Sequence, residues 1–174
     1  RHIMRQTPDV IHIGDIRDVE TMSSAIQAAE TGQLVLSTLH TINATQTVER
    51  VINFFPPYQH HEVRLQLSLL LKGVISLRLI PRKDGKGRIP ACEMMLLTPT
   101  IRGLIHEGET VQIPNFIQDG GIFGMQSFNQ ALIAHYKSGK ITLEDARSNS
   151  DSRDELDLAL RGFHAGAKGF AGTK

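Results

Sequence analysis

The chain of 174 residues sets 19 lysines and arginines against 18 aspartates and glutamates, for a formal charge of +1, with 40% hydrophobic and 21% charged residues. This is the balance of an ordinary globular protein with room for one or two small cores, and it supplies no polybasic field, so nucleic acid is not an expected partner. A single cysteine, Cys92, excludes an intramolecular disulfide and a four-cysteine zinc site.

The apolar runs are far shorter than the roughly 20 residues that cross a bilayer. The N-terminal stretch also lacks the charged start, apolar middle and small-residue cleavage site of a secretory leader. The expected compartment is the cytoplasm.

The chain starts at Arg1 in what reads as the end of a helix. Val10-Ile11-His12-Ile13 is a short β-branched run closing on Gly14-Asp15, the pattern of a buried parallel strand with an acid at its C-terminal tip. A helix follows: Asp18 suits the N-cap, Glu20 complements the positive end of the dipole, and Val19, Met22, Ile26 and Ala29 recur at helical spacing until Gly32. Leu34-Val35-Leu36 is a second short strand running into Ser37-Thr38-Leu39-His40-Thr41. Strand, helix and strand in this span form a right-handed βαβ unit, which puts Asp15 and His40 on one edge of a parallel sheet.

Asn43 to Phe55 reads as an amphipathic helix with Ala44, Val48, Val51, Ile52 and Phe55 on one side, broken by Pro56-Pro57. A third helix presents Val63, Leu67, Leu70 and Leu71 as its buried face. Val74 to Ile80 and Ile89 to Leu97 flank Asp84-Gly85-Lys86-Gly87, a hairpin signal. That turn lies between strands and lacks the GxxxxGK[ST] spacing of a phosphate loop, which occurs nowhere in the chain.

From Thr98 the pattern is helical. Thr98-Pro99 opens one helix that Gly108 stops, Gln126 to Ser138 forms another, and Thr142 and Ser152 begin two more. The expected organisation is an α/β core over 1–97, a helical region over 98–161 and a flexible tail over 162–174.

An acid at the tip of a parallel strand is where α/β nucleotide-binding proteins hold Mg²⁺ or orient water, which makes Asp15 the first candidate; the alternative is that it only caps a turn. His40 on the neighbouring tip could donate to a phosphate oxygen, with Ser37, Thr38 and Thr41 as converging short polar groups. Arg17 is a phosphate or intersubunit contact, or an exposed helix-start residue. His60-His61 before Glu62 is not read as a metal site, since adjacent residues on a helix point in different directions and no third ligand sits at a convincing spacing.

Together these segments resemble one family. Pro8 to Thr21 looks like the Walker B segment of secretion-superfamily ATPases, and Ala29 to Thr41 resembles their histidine box. Within that superfamily, Thr100 to Glu107 is similar to the AIRNLIRE signature of pilus retraction motors, sharing Ile101, Arg102, Leu104, Ile105 and Glu107. Gly124-Met125-Gln126-Ser127-Phe128-Asn129-Gln130-Ala131-Leu132 looks like their GMQT(M/F)DQAL segment.

The resemblance implies the second half of a RecA-like P-loop ATPase core followed by a helical region. It also implies a cytoplasmic homo-hexamer at the inner face of the cytoplasmic membrane, using ATP and Mg²⁺ to retract pili for twitching motility. Its expected partners are the pilus base platform protein and the pilin machinery. A non-catalytic or accessory paralogue ring, or a secretion or pilus assembly ATPase, is the alternative.

Carried onto this sequence, Asp15 and His40 are the expected catalytic residues, with Asp15 on Mg²⁺ through water. Gly14, Asp15, Arg17, Thr38 and His40 are the expected nucleotide-binding set. Asp15 stands where the family usually has Glu, and Thr100, Gly103 and His106 depart from the signature. Without a Walker A loop, the isolated chain is expected to be inactive.

Overall fold

The computed structural model describes residues 8–162. The expected tail beyond Gly162 and the helix end at Arg1 lie outside the described residues. Among the described residues four strands, β1 (Val10–Asp15), β2 (Leu34–Thr38), β3 (Gly73–Pro81) and β4 (Arg88–Leu96), occur with eight α-helices. The helices are α1 (Val19–Glu30), α2 (Ala44–Asn53), α3 (His60–Leu70), α4 (Pro99–Glu107), α5 (Ile113–Asp119), α6 (Phe128–Lys137), α7 (Leu143–Ser148) and α8 (Arg153–Leu160).

The described residues pack as two compact units. One unit runs up to Ser76 and resumes over Met95–Phe116; the other takes Leu77–Met94 and the residues from Ile117 onward. The outer parts of β3 and β4 give Ile80 and Ala91 to the core of α6, α7 and α8.

In the first unit β1 and β2 pair in parallel, as the βαβ pattern requires. Asp18 caps α1 by accepting from the Thr21 amide at 2.8 Å, and Asn43 caps α2 from the Gln46 amide at 2.8 Å. Helix α3 is the hub, packed against α1, α2 and α4 through Val63 and Leu67. Gln66 ties it to α1 through Glu30 at 2.8 Å.

Burial within this chain is uneven. Val10, Leu34 and Leu36 are exposed at 52%, 45% and 50%, and Ile11 alone of β1 is buried. Leu70 and Leu71 are half-buried, and Ser68 takes the inner position beside Leu67.

Helix α4 begins on Thr98, whose hydroxyl accepts from the Ile101 amide, and ends on Gly108 at φ 82°. That left-handed residue closes the helix without the penalty a Cβ would bring. Gly103, inside α4, has nothing within 4 Å of where a Cβ would stand.

In the second unit the core is Ile80, Ala91, Phe128, Ala131, Leu132, Ile141, Ala146 and Leu156. Arg78 locks it from one side. Its guanidinium lies 3.8 Å from the Phe128 ring centroid, donates to the Asn149 carbonyl at 2.7 Å and pairs with Asp151 at 2.5 Å. Helix α6 starts later than expected: Gln126 bridges to Met94 in β4 and donates to the Cys92 carbonyl, while Ser127 and Gln130 form a capping box. The hairpin turn is fixed by Asp84, which accepts a fork from Arg82 at 3.1 and 2.7 Å and the Lys86 amide at 2.9 Å.

Two predictions follow from this packing. Gly103→Ala should raise stability by about 1 kcal/mol, since it restores helix propensity where a methyl meets no neighbour, and denaturant unfolding reads the change. Arg78→Ala should cost about 2–3 kcal/mol on the same measurement, because it strips the Phe128 face and leaves Asn149 and Asp151 without their donor.

Candidate nucleotide-binding edge

The tips of β1 and β2 build one polar group. Up to His12 the strands run in step, with Val10, Ile11 and His12 opposite Leu34, Val35 and Leu36; beyond it Asp15 stands opposite Thr38. β1 therefore uses one residue more than β2 between these pairs, a bulge at Ile13–Gly14. The Ser37 hydroxyl bonds the Gly14 carbonyl at 2.8 Å, and the ladder resumes with the Ile16 amide on the Thr38 carbonyl at 3.2 Å.

The shift sets the Asp15 carboxylate among three donors. Thr38 Oγ1 donates to Oδ1 at 2.5 Å, and Arg17 Nη2 and His40 Nε2 each lie 3.0 Å from Oδ2. Hydrogen bonds from Thr38 first, then Arg17 and His40, hold the Asp15 pKa down to about 2. The carboxylate is thus ionised near neutral pH and only accepts, so His40 Nε2 carries the proton and donates it. The Asp15 side chain is 33% exposed, whereas those of Arg17 and His40 are 74% and 78% exposed.

The structure brings Asp15, Arg17, Thr38 and His40 into direct contact, with Gly14 contributing its carbonyl to the strand lock. Thr41 does not join them, because its hydroxyl pairs with Thr47 at 2.7 Å. His60 bonds the Phe55 carbonyl at 2.8 Å, and His61 faces the His106 ring at 5.8 Å. The bulge was not legible from periodicity: Gly14 was its only sequence signal, and a glycine in a strand can equally mark a close backbone approach.

A single carboxylate fits a cation of the magnesium type, which takes one or two protein carboxylates and fills its octahedron with water and phosphate oxygens. Among the described residues no group of three or more His, Cys, Asp or Glu side chains could form a closed metal cage.

Residues 1–86 match the family described as Type II/IV secretion system protein. The chain is 44% identical over 161 residues to the type IV pilus ATPase PilU of Pseudomonas aeruginosa, covering 92% of this chain and 42% of that protein. It is also 44% identical over 150 residues to the type IV pilus retraction ATPase PilT of the same organism, covering 86% of this chain and 43% of that protein.

The crystal structure of the pilus retraction motor PilT with bound ADP superposes with a TM-score of 0.81 at 43% identity, covering 90% of this chain and 43% of that one. This chain thus spans less than half the length of the relatives it matches, and its fold is that of the C-terminal half of their ATPase core. On these likenesses, together with the two strand-tip segments from which they could be anticipated, the chain belongs to the type II/IV secretion-system ATPases, in their PilT- and PilU-like type IV pilus branch.

Proposed function

We propose that the protein to which this chain contributes is an ATP-hydrolysing homo-hexameric motor that retracts type IV pili and so drives twitching motility. The observation that carries the reading is the convergence of Asp15, Thr38, Arg17 and His40 on one parallel-strand edge in a chain with these relatives. In α/β folds that edge opens on the ligand crevice, where anionic ligands meet donors and an acid manages the cation or the attacking water.

Asp15 helps to hold Mg²⁺, through water, or orients the attacking water. His40, with its Nε2 proton on Asp15, is placed to transfer that hydrogen bond to the terminal phosphate and so report its presence. Arg17 has further donors beyond the one Asp15 accepts, suited to a phosphate or a neighbouring subunit. Bound Mg²⁺ supplies charge neutralisation of the phosphates. Residues 100–107 transmit force or contact the pilus base machinery at the inner face of the cytoplasmic membrane.

This chain contains no GxxxxGK[ST] sequence to cradle phosphates, and alone it is expected not to turn over ATP. A second reading, a non-catalytic or accessory ring of the same fold, is favoured by Asp15 where the family usually has Glu.

The test is ATPase rate and twitching in the full-length protein. Asp15→Ala and His40→Ala should each lower kcat roughly a hundredfold or more and abolish twitching. Wild-type-like hydrolysis and motility in both variants would exclude the motor reading. Abolished hydrolysis with intact twitching would favour the accessory ring.

A further inference from the structure

We propose that the bulge at Ile13–Gly14 and the hydroxyl of Thr38 together aim the Asp15 carboxylate, making Thr38 a positioning residue and Oδ2 the oxygen that meets the cation or its water. This rests on the role given to Asp15 above. The register carries the argument. Continued without a bulge from His12 opposite Leu36, the pairing would set Gly14 opposite Thr38 and carry Asp15 one place further along. Since side chains alternate between faces, that one-residue offset decides which side of the ribbon the acid occupies.

The two carboxylate oxygens then differ in how firmly their partners are held. Oδ1 is bound by Thr38, a short side chain on a paired strand, beside the Ser37 bond that fastens the bulge. Thr38 is also exposed, but its β-branched side chain is stiff at χ1 and its backbone is held in the strand pair, so Oδ1 loses this partner only by a rotamer change. Oδ2 is shared by Arg17 and His40, long side chains beyond the strand ends and largely in solvent. Water competes for such exposed pairs, so they exchange at little cost. Oδ2 is accordingly the oxygen that can change partners when nucleotide arrives, while Oδ1 keeps the carboxylate plane fixed.

The arrangement also fits aspartate in place of the family's usual glutamate. One more methylene would carry the carboxylate past the Thr38 hydroxyl by roughly one C–C bond, ~1.5 Å.

The test uses the full-length protein with Thr38→Val, which keeps the strand-favouring shape and removes the donor, and Thr38→Ser, which restores it. Thr38→Ala serves if the valine variant does not fold. In crystals of the nucleotide-free valine variant, Asp15 should leave its single orientation while the strand register is unchanged. In solution kcat should fall roughly ten- to a hundredfold with KM for ATP nearly unaltered, the mark of a lost orientation and not of lost binding. Thr38→Ser should recover both the orientation and most of the rate.

An Asp15 that keeps its position without the hydroxyl overturns the proposal, and so does a displaced Asp15 with unchanged kcat. A fall carried wholly by KM would make Thr38 a nucleotide contact and also overturns it. If Asp15→Ala leaves hydrolysis intact, the role assigned to Asp15 fails instead, and the orientation seen in the crystals still decides whether Thr38 aims it.

Discussion

The constraint on which the first unit depends is the parallel pairing of β1 with β2, in step to His12 and offset by one residue at Asp15. The helix between them, α1, returns the chain to the start of β2 as a right-handed crossover does. Both strand tips therefore end on one edge. The bulge then changes the facing of the last residue without lengthening the sheet, and the acid meets a hydroxyl, an imidazole and a guanidinium. The chemistry of the edge is thus a property of register before it is a property of residue type.

In the second unit the organising contact is the Phe128 ring, buried beneath the Arg78 guanidinium and among Ile80, Ala91, Leu132 and Leu156. The Arg78 side chain is 20% exposed, yet its charge is met by Asp151 and the Asn149 carbonyl. This ties a strand to the loop that precedes α8. The GMQSF segment has a local explanation in the same terms: Met94 pairs with Gln126, Ser127 caps α6, and Phe128 enters the core.

Much of this was legible in the sequence because local signals agreed with global ones. Asp18 and Thr98 sit at the N-caps expected of them, Thr142 and Ser152 open α7 and α8 where helices were expected to begin, and Gly108 ends α4 in the left-handed region. Asp15 and His40 could be paired in advance, since a βαβ unit brings successive strand tips together.

What could not be read depended on partners distant in sequence. An apolar run such as Val10 to Ile13 looks the same whether one face or both faces of its sheet are covered. Gln126 fits a helical pattern but is claimed by β4. Helix α5 gives little periodic signal, because Pro114 and the 3-10 turns around it blur the period that Ile113 and Ile117 carry. The outer part of the hairpin lies with the later helices, a grouping set by contacts that no single stretch of sequence displays.

The central claim is that this strand edge is the cation- and phosphate-facing side of an ATPase site, with Asp15 held by Thr38 and free to exchange on its other oxygen. It is tested most directly by the structure of the full-length protein bound to Mg²⁺ and a non-hydrolysable ATP analogue. The account predicts that Thr38 keeps Oδ1, that Oδ2 turns to the cation's water shell or the attacking water, and that His40 Nε2 moves onto the terminal phosphate. Nucleotide bound away from this edge, or bound here with the Asp15–His40 contact intact and Thr38 released, would contradict it.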